Sequence, residues 1–255
     1  MAGTKRMVRR SGGTAGAVRK PRRRRRPKQG ELVFRSWGGA RAGAGRKPKG
    51  ERAGVSHRQR AALASRFPVH VTMKLRAGLP SLRRGVERRV LFAAFAKGCE
   101  REGFRVTHFS LQDDHVHLIA EGKDRGCLAA GMKGLAVRMA RALNRLWERT
   151  GSVFGDRYHD RILRTPKEVR NALRYVLQNG KRHGMGQMQP LDLCSSGPWF
   201  DGWREKLEVR GKEQFATPVA GPRTWLLSVG WRRHGLLTFE EIPGLPTRPR
   251  PRRRR

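Results

Sequence analysis

Acids are scarce in this chain. It holds 20 aspartates and glutamates against 58 lysines and arginines, for a formal net charge of +38. A compact fold with that excess repels itself unless a polyanion neutralises it. Nucleic acid is the default polyanion, because contact with phosphates releases counterions. Cysteine is scarce too. Cys99, Cys127 and Cys194 lie far apart and form no C-x-x-C pair, which argues against a disulfide framework or a zinc ribbon and fits a reducing cytoplasm. Each reads as a small buried hydrophobe. No stretch approaches the ~18 apolar residues of a membrane span, so no membrane partner is expected. The basic start, MAGTKRMVRRSGG, has no apolar run behind it and is not a signal peptide. Tyrosine occurs only at Tyr158 and Tyr175, so tyrosine chemistry has two candidate positions.

What the chain has in abundance is cationic low-complexity sequence at its ends. Residues 1–65 include RKPRRRRRPK and GGARAGAGRKPKG, and residues 247–255 end in a run of arginines. With few large apolar groups to bury, both ends are expected to be disordered. Arg22, Arg23, Arg24, Arg46 and Lys47 are candidates for a sequence-independent grip on phosphates.

Between the ends the pattern changes. Val69, Val71, Met73 and Leu75 alternate with His70, Thr72 and Lys74, which predicts a half-buried strand. A helix is predicted over 80–102, opened by Pro80, with Leu82, Val86, Val90 and Phe95 at helical spacing. FRVTHFSLQ reads as a second strand and HVHLIAEG as a third, joined by a tight turn at Asp113-Asp114. Residues 126–149 are helical, with a core stripe of Leu128, Met132, Leu135, Met139, Leu143 and Trp147. A short strand is expected around RYHDRILR and a last helix over 166–180. The order β-α-β-β-α-β plus a further helix is an α+β, ferredoxin-like arrangement. It is an antiparallel sheet with two helices on one face and with the first and third strands as central neighbours.

The third strand carries the first chemical signal. Residues two apart in a strand share a face. Val116, Leu118 and Ala120 then take the helix-covered face. His115, His117, Ile119 and Glu121 take the other, together with His70 and Thr72 of the first strand. Two neutral imidazoles side by side suit a divalent cation. The opposite reading is two half-exposed histidines on a free polar face.

The last helix supplies possible partners. Thr165-Pro166-Lys167-Glu168 is a capping box with proline at the first helical position, and Gly180 marks the predicted end. Val169, Leu173, Val176 and Leu177 form the apolar stripe. Tyr175 lies off it, on a polar face with Asn171, Gln178 and Asn179. A phenol is a weak nucleophile at its usual pKa of ~10, and a nearby metal can favour the phenolate and polarise a phosphodiester.

DDHVHLIAEG, GSVFGDRYHDRIL and LRYVLQNGKRHG together resemble the single-tyrosine HUH transposases of the IS200-like superfamily, in particular the REP-associated tyrosine transposase branch. The resemblance spans roughly residues 66–184. It implies His115 and His117 as metal ligands, Tyr175 as the nucleophile, and Asn179 as the third ligand with Gln178 as the alternative. Mg²⁺ or Mn²⁺ would be the cofactor, with no nucleotide cofactor. The family's usual proline after the helix asparagine is replaced here by Gly180. The implied activity is DNA transposition: cleavage and rejoining of single-stranded, hairpin or repeat-associated DNA through a 5′-phosphotyrosine, by a nucleoid-associated cytoplasmic monomer or homodimer. Arg174, Arg182, Arg232 and Arg233 join the terminal cations as candidate DNA contacts.

The Trp-rich extension, 185–246, holds Trp199, Trp203, Trp225 and Trp231. It reads first as a mini-core packed on the catalytic domain and second as a base-stacking surface. Two other functions compete with the transposase reading. One is a non-catalytic or domesticated nucleic-acid-binding protein that keeps the fold. The other is a replication initiator or relaxase, which would usually carry further tyrosines or a third histidine.

Overall fold

The computed structural model describes residues 59–182, 190–206 and 216–243. They fall within one compact unit, Pro48–Arg255. Arg22, Arg23, Arg24, Arg46 and Lys47, and the expected disorder of the two ends, lie outside the described residues.

The elements run β1 (Val69–Lys74), α1 (Gly85–Ala96), β2 (Glu100–Arg101), β3 (Phe104–Leu111), β4 (His115–Gly122), α2 (Arg125–Leu146), β5 (His159–Ile162) and α3 (Pro166–Arg182). A short helix α4 (Trp225–Ser228) follows, between single 3₁₀ turns at Gly197–Trp199 and Gly230–His234. The sheet order is β2-β3-β4-β1-β5, and every pairing is antiparallel. Apart from the two-residue β2, this is the predicted ferredoxin-like arrangement, with β1 and β4 as central neighbours. Their register sets Thr72 opposite His117 and Lys74 opposite His115. Among the described residues no helix is long and apolar enough to cross a membrane.

Besides α2, which ends at Leu146 and not at 149, two helices differ from the sequence reading. The helix predicted over 80–102 begins only at Gly85. Residues 81–83 instead hold the β3–β4 turn: Ser81 donates to the Asp113 carboxylate at 2.5 Å, and the Leu82 amide donates to the Asp113 carbonyl. At its far end that window yields β2. The second difference is that α3 continues through Gly180 to Arg182, with non-helical geometry at Gln178 (φ −122°, ψ 15°). Gly180 is therefore not a terminator. A Cβ there would sit 2.3 Å from Oδ2 of Asp192, so glycine is what lets the helix pass against the buried Asp192–Arg83 pair.

The larger correction concerns the sheet face. Val69, Val71, Val116, Leu118 and Ala120 pack beneath α1 and α2 with Phe95, Leu128, Met132 and Met139, as expected. The opposite face is not free. Ile119 packs there with the α3 stripe Val169, Leu173, Val176 and Leu177, and with Phe200, Leu226, Trp231 and Leu237 from the C-terminal segment. The stripe needs an apolar surface, and the sheet supplies one. β3 is buried along its whole length, and so is β4 after His115.

Candidate active site

Strand alternation and one helix bring the predicted residues together. His117 is buried, 4 % exposed, and its ring is the hub. Its Nε2 lies 3.0 Å from Nε2 of His115 and 3.4 Å from the Tyr175 hydroxyl. Its Nδ1 lies 3.0 Å from Oγ1 of Thr72 and 3.3 Å from Nε2 of His70. Tyr175, half-buried on α3, sets its ring edge-on to both His117 and His70. The capping box that begins α3 is present: the Glu168 amide donates to Thr165 Oγ1 and the Thr165 amide to Glu168 Oε2.

Residues next to the predicted ligands hold them in place. Nδ1 of His115 is 2.7 Å from a carboxylate oxygen of Asp114. If that nitrogen carries the proton, Nε2 is left as a lone pair facing His117. The same contact holds the Asp114 carboxyl below its usual range. The sequence reading took Asp114 as a turn former, and the structure adds this second role. Its position directly before the histidine was the only sequence signal for it. Thr72 and His70 address the other ring from β1. Burial, and then the charge of Arg161, lowers the His70 pKa to about 4, so His70 meets His117 as a neutral imidazole near neutral pH.

The donor set fits a divalent cation. Two nitrogens at right angles about a metal, each at ~2.1 Å, stand ~3.0 Å apart, which matches the spacing of the two Nε2 atoms. Among the described residues no group of three or more His, Cys, Asp and Glu side chains could hold a metal. A third protein donor would have to be a phenol or an amide. Asn179 is fully buried, and neither atom of its amide has a hydrogen-bond partner among the described residues, a costly state for a carboxamide. Gln178 donates through Nε2 to the Thr238 carbonyl at 2.7 Å, while its Oε1 is buried without a partner among the described residues. The break at Gln178 removes the regular i, i+4 relation between Tyr175 and Asn179 on which the sequence reading rested.

The other predicted contacts divide. Arg174 is half-buried, and its Nε has no partner among the described residues. Arg232 is bound to Asp201 at 2.8 Å and to the Ser228 carbonyl. Arg233 is exposed, with its guanidinium 4.9 Å from the ring centre of Trp225. The Arg182 side chain lies outside the described atoms. Trp231 is buried and Trp199 and Trp203 are partly buried, which supports the mini-core; Trp225 alone of the four is exposed. Glu121, on the histidines' face, is buried and accepts the backbone amides of Arg223 and Thr224. It fastens the C-terminal segment to the sheet.

No family model matches the chain, and no curated protein matches it. Among solved structures, a REP-associated tyrosine transposase bound to a REP hairpin is similar to it at 17 % identity and a TM-score of 0.43, over 51 % of this chain and 75 % of that one.

Proposed function

We propose that this protein is a DNA strand transferase of the single-tyrosine HUH type, acting on single-stranded or hairpin DNA. The observation that carries the reading is the convergence of the Tyr175 hydroxyl with the Nε2 atoms of His115 and His117. The motif resemblance and the +38 charge support it.

His115 and His117 would hold Mg²⁺ or Mn²⁺, with Asn179 or Gln178 as the amide donor. Such an ion, when bound, draws charge from a phosphate oxygen and so favours displacement at phosphorus. Tyr175 performs the displacement. Its oxygen forms a bond to phosphorus, its proton passes to solvent, and the bond to the 3′-oxygen breaks. The departing oxygen takes up a proton and becomes a free 3′-OH, leaving a 5′-phosphotyrosine. Attack by a 3′-OH on that link reverses the exchange, so one phosphodiester replaces another. His117 and His70 orient the phenol ring edge-on, and Asp114 and Thr72 orient the imidazoles.

Incubation with hairpin-bearing single-stranded DNA and Mn²⁺ tests the reading. A covalent protein–DNA adduct is expected on a denaturing gel with wild type and not with Tyr175→Phe. An equal adduct from the variant, or none from wild type, contradicts it.

A further inference from the structure

On the far side of the sheet from the histidines, α1 and α2 lie side by side and leave an open trough of about 1020 Å³. Lys97, Arg101, Lys133, Arg138, Arg141 and Arg145 rim it, and no acid does. No ion pair or side-chain hydrogen bond ties any of the six to a described residue. Elsewhere in the described structure several arginines are spent on acids: Arg83 on Asp192, Arg170 on Glu241, Arg232 on Asp201, and Arg60 and Arg125 on Asp160. Across its 22 residues α2 has no acid at all. Arg138, Arg141 and Arg145 follow one another at spacings of three and four, where like charges repel.

The floor of the trough is apolar. Val90, Ala93, Ala130, Val137 and Leu146 line it, and Val137 is 42 % exposed. Gly134 leaves it open, since the nearest atom to a Cβ there is Nη1 of Arg101 at 3.8 Å. Arg138 lies across Gly98, whose missing side chain gives it room at 3.0 Å. A cationic rim alone would suit any polyanion. An exposed apolar floor between two helices is of no use to a phosphate backbone, but it is the surface on which a third helix lays an apolar ridge.

We propose that the trough between α1 and α2 is a docking site for an acidic amphipathic helix of another protein. This chain cannot provide that helix. Outside the described residues its only acids are Glu31, Glu51, Glu208 and Glu213, the first two set among cations. A second copy would bring a net charge of +38 against the same cations. The site stands apart from the proposed chemistry, because the sheet separates it from His117 and Tyr175.

The test uses the full chain and a labelled synthetic peptide of ~18 residues, with leucines at i, i+3, i+4 and i+7 and glutamates on both flanks. A scrambled peptide of equal composition measures attraction to the basic ends by charge alone, and a duplex oligonucleotide measures nucleic-acid binding. Fluorescence anisotropy should show the amphipathic peptide binding at least about tenfold tighter than the scramble. Arg138→Glu/Arg141→Glu/Arg145→Glu should erase that difference. Gly134→Leu, which fills open space without touching the core, should erase it while all charges remain. Equal binding of the two peptides overturns the proposal. So does a triple variant that loses duplex binding while the amphipathic peptide keeps its advantage, which would make the trough a nucleic-acid surface. Thermal melting of each variant confirms that it is folded.

Discussion

The two faces of the sheet use charge in opposite ways. On the α3 side, ionic groups are buried and paired. Asp192 and Arg83 brace Gly180, Glu241 holds Arg170, and Glu121 clamps the Arg223–Thr224 backbone. The imidazoles there touch one another, a hydroxyl and a phenol. On the α1–α2 side the inner surface is mostly apolar, with Glu87 buried under the Trp147 indole as the exception, and the six trough cations stand outside, unpaired with any described residue. A buried charge that loses its partner is strongly destabilising, so the α3 face can change little without cost to the fold. An exposed, unpaired cation contributes little to folding, and so remains available to a partner.

Breaking the α3 face should therefore cost the most. Arg83→Ala leaves the Asp192 carboxylate, 1 % exposed at its side chain, without its cation. The expected loss is ~3–5 kcal/mol in denaturant unfolding, against less than ~0.5 kcal/mol for Arg141→Ala in the trough. Equal losses would erase the contrast between the faces. Gly131→Ala, on the buried side of α2, would set a Cβ 2.0 Å from the Phe104 ring and should cost ~1–3 kcal/mol by overpacking. Gly134→Ala, three residues on and in open space, should be neutral or stabilising by up to ~1 kcal/mol.

Asp114→Asn tests orientation at the site. It should weaken Mn²⁺ binding ~10–100-fold by calorimetry with no change in melting temperature, because Asp114 is exposed. An unchanged affinity would remove Asp114 from the site.

The last effect is felt only below neutral pH. His108 faces the α3 layer, edge-on to Phe200, and burial lowers its pKa to about 3. The unfolded chain takes up this proton near pH 6.5 and the folded chain does not. The contribution is therefore present above 6.5 and is lost as pH falls from 6.5 towards 3, at up to ~1.4 kcal/mol per unit. His108→Leu should flatten the stability–pH profile in that window by that slope, and an unaltered profile would contradict the assignment.

Much of this arrangement was legible in the sequence. The period-2 alternation of β1 and β4 fixed which side chains share a face, and the Thr165–Glu168 box located the start of α3. The C-terminal part of the cover over the histidines' sheet face was not legible. Beside α3, the residues that close this sheet face come from 190–206 and 216–243, whose short turns carry no sustained period, and are fixed by contacts such as Glu121 with Arg223 across a hundred residues. The relation of Asn179 to Tyr175 was readable only for an unbroken helix, and Gln178 breaks it. The unpaired state of the trough arginines was hidden as well. Sequence counts cations but does not show that Asp160, Asp192, Asp201 and Glu241 are all engaged elsewhere.

The two tyrosines allow a direct test. Tyr158 is partly buried beneath the Arg60 guanidinium, and its hydroxyl has no partner among the described residues; Tyr175 stands among the imidazoles. Trapping the covalent adduct with hairpin single-stranded DNA and mapping the nucleotide-bearing residue by peptide mass spectrometry distinguishes them. The nucleotide is predicted on Tyr175. Its appearance on Tyr158, or a protein that cleaves this DNA without any tyrosine adduct, would contradict the account.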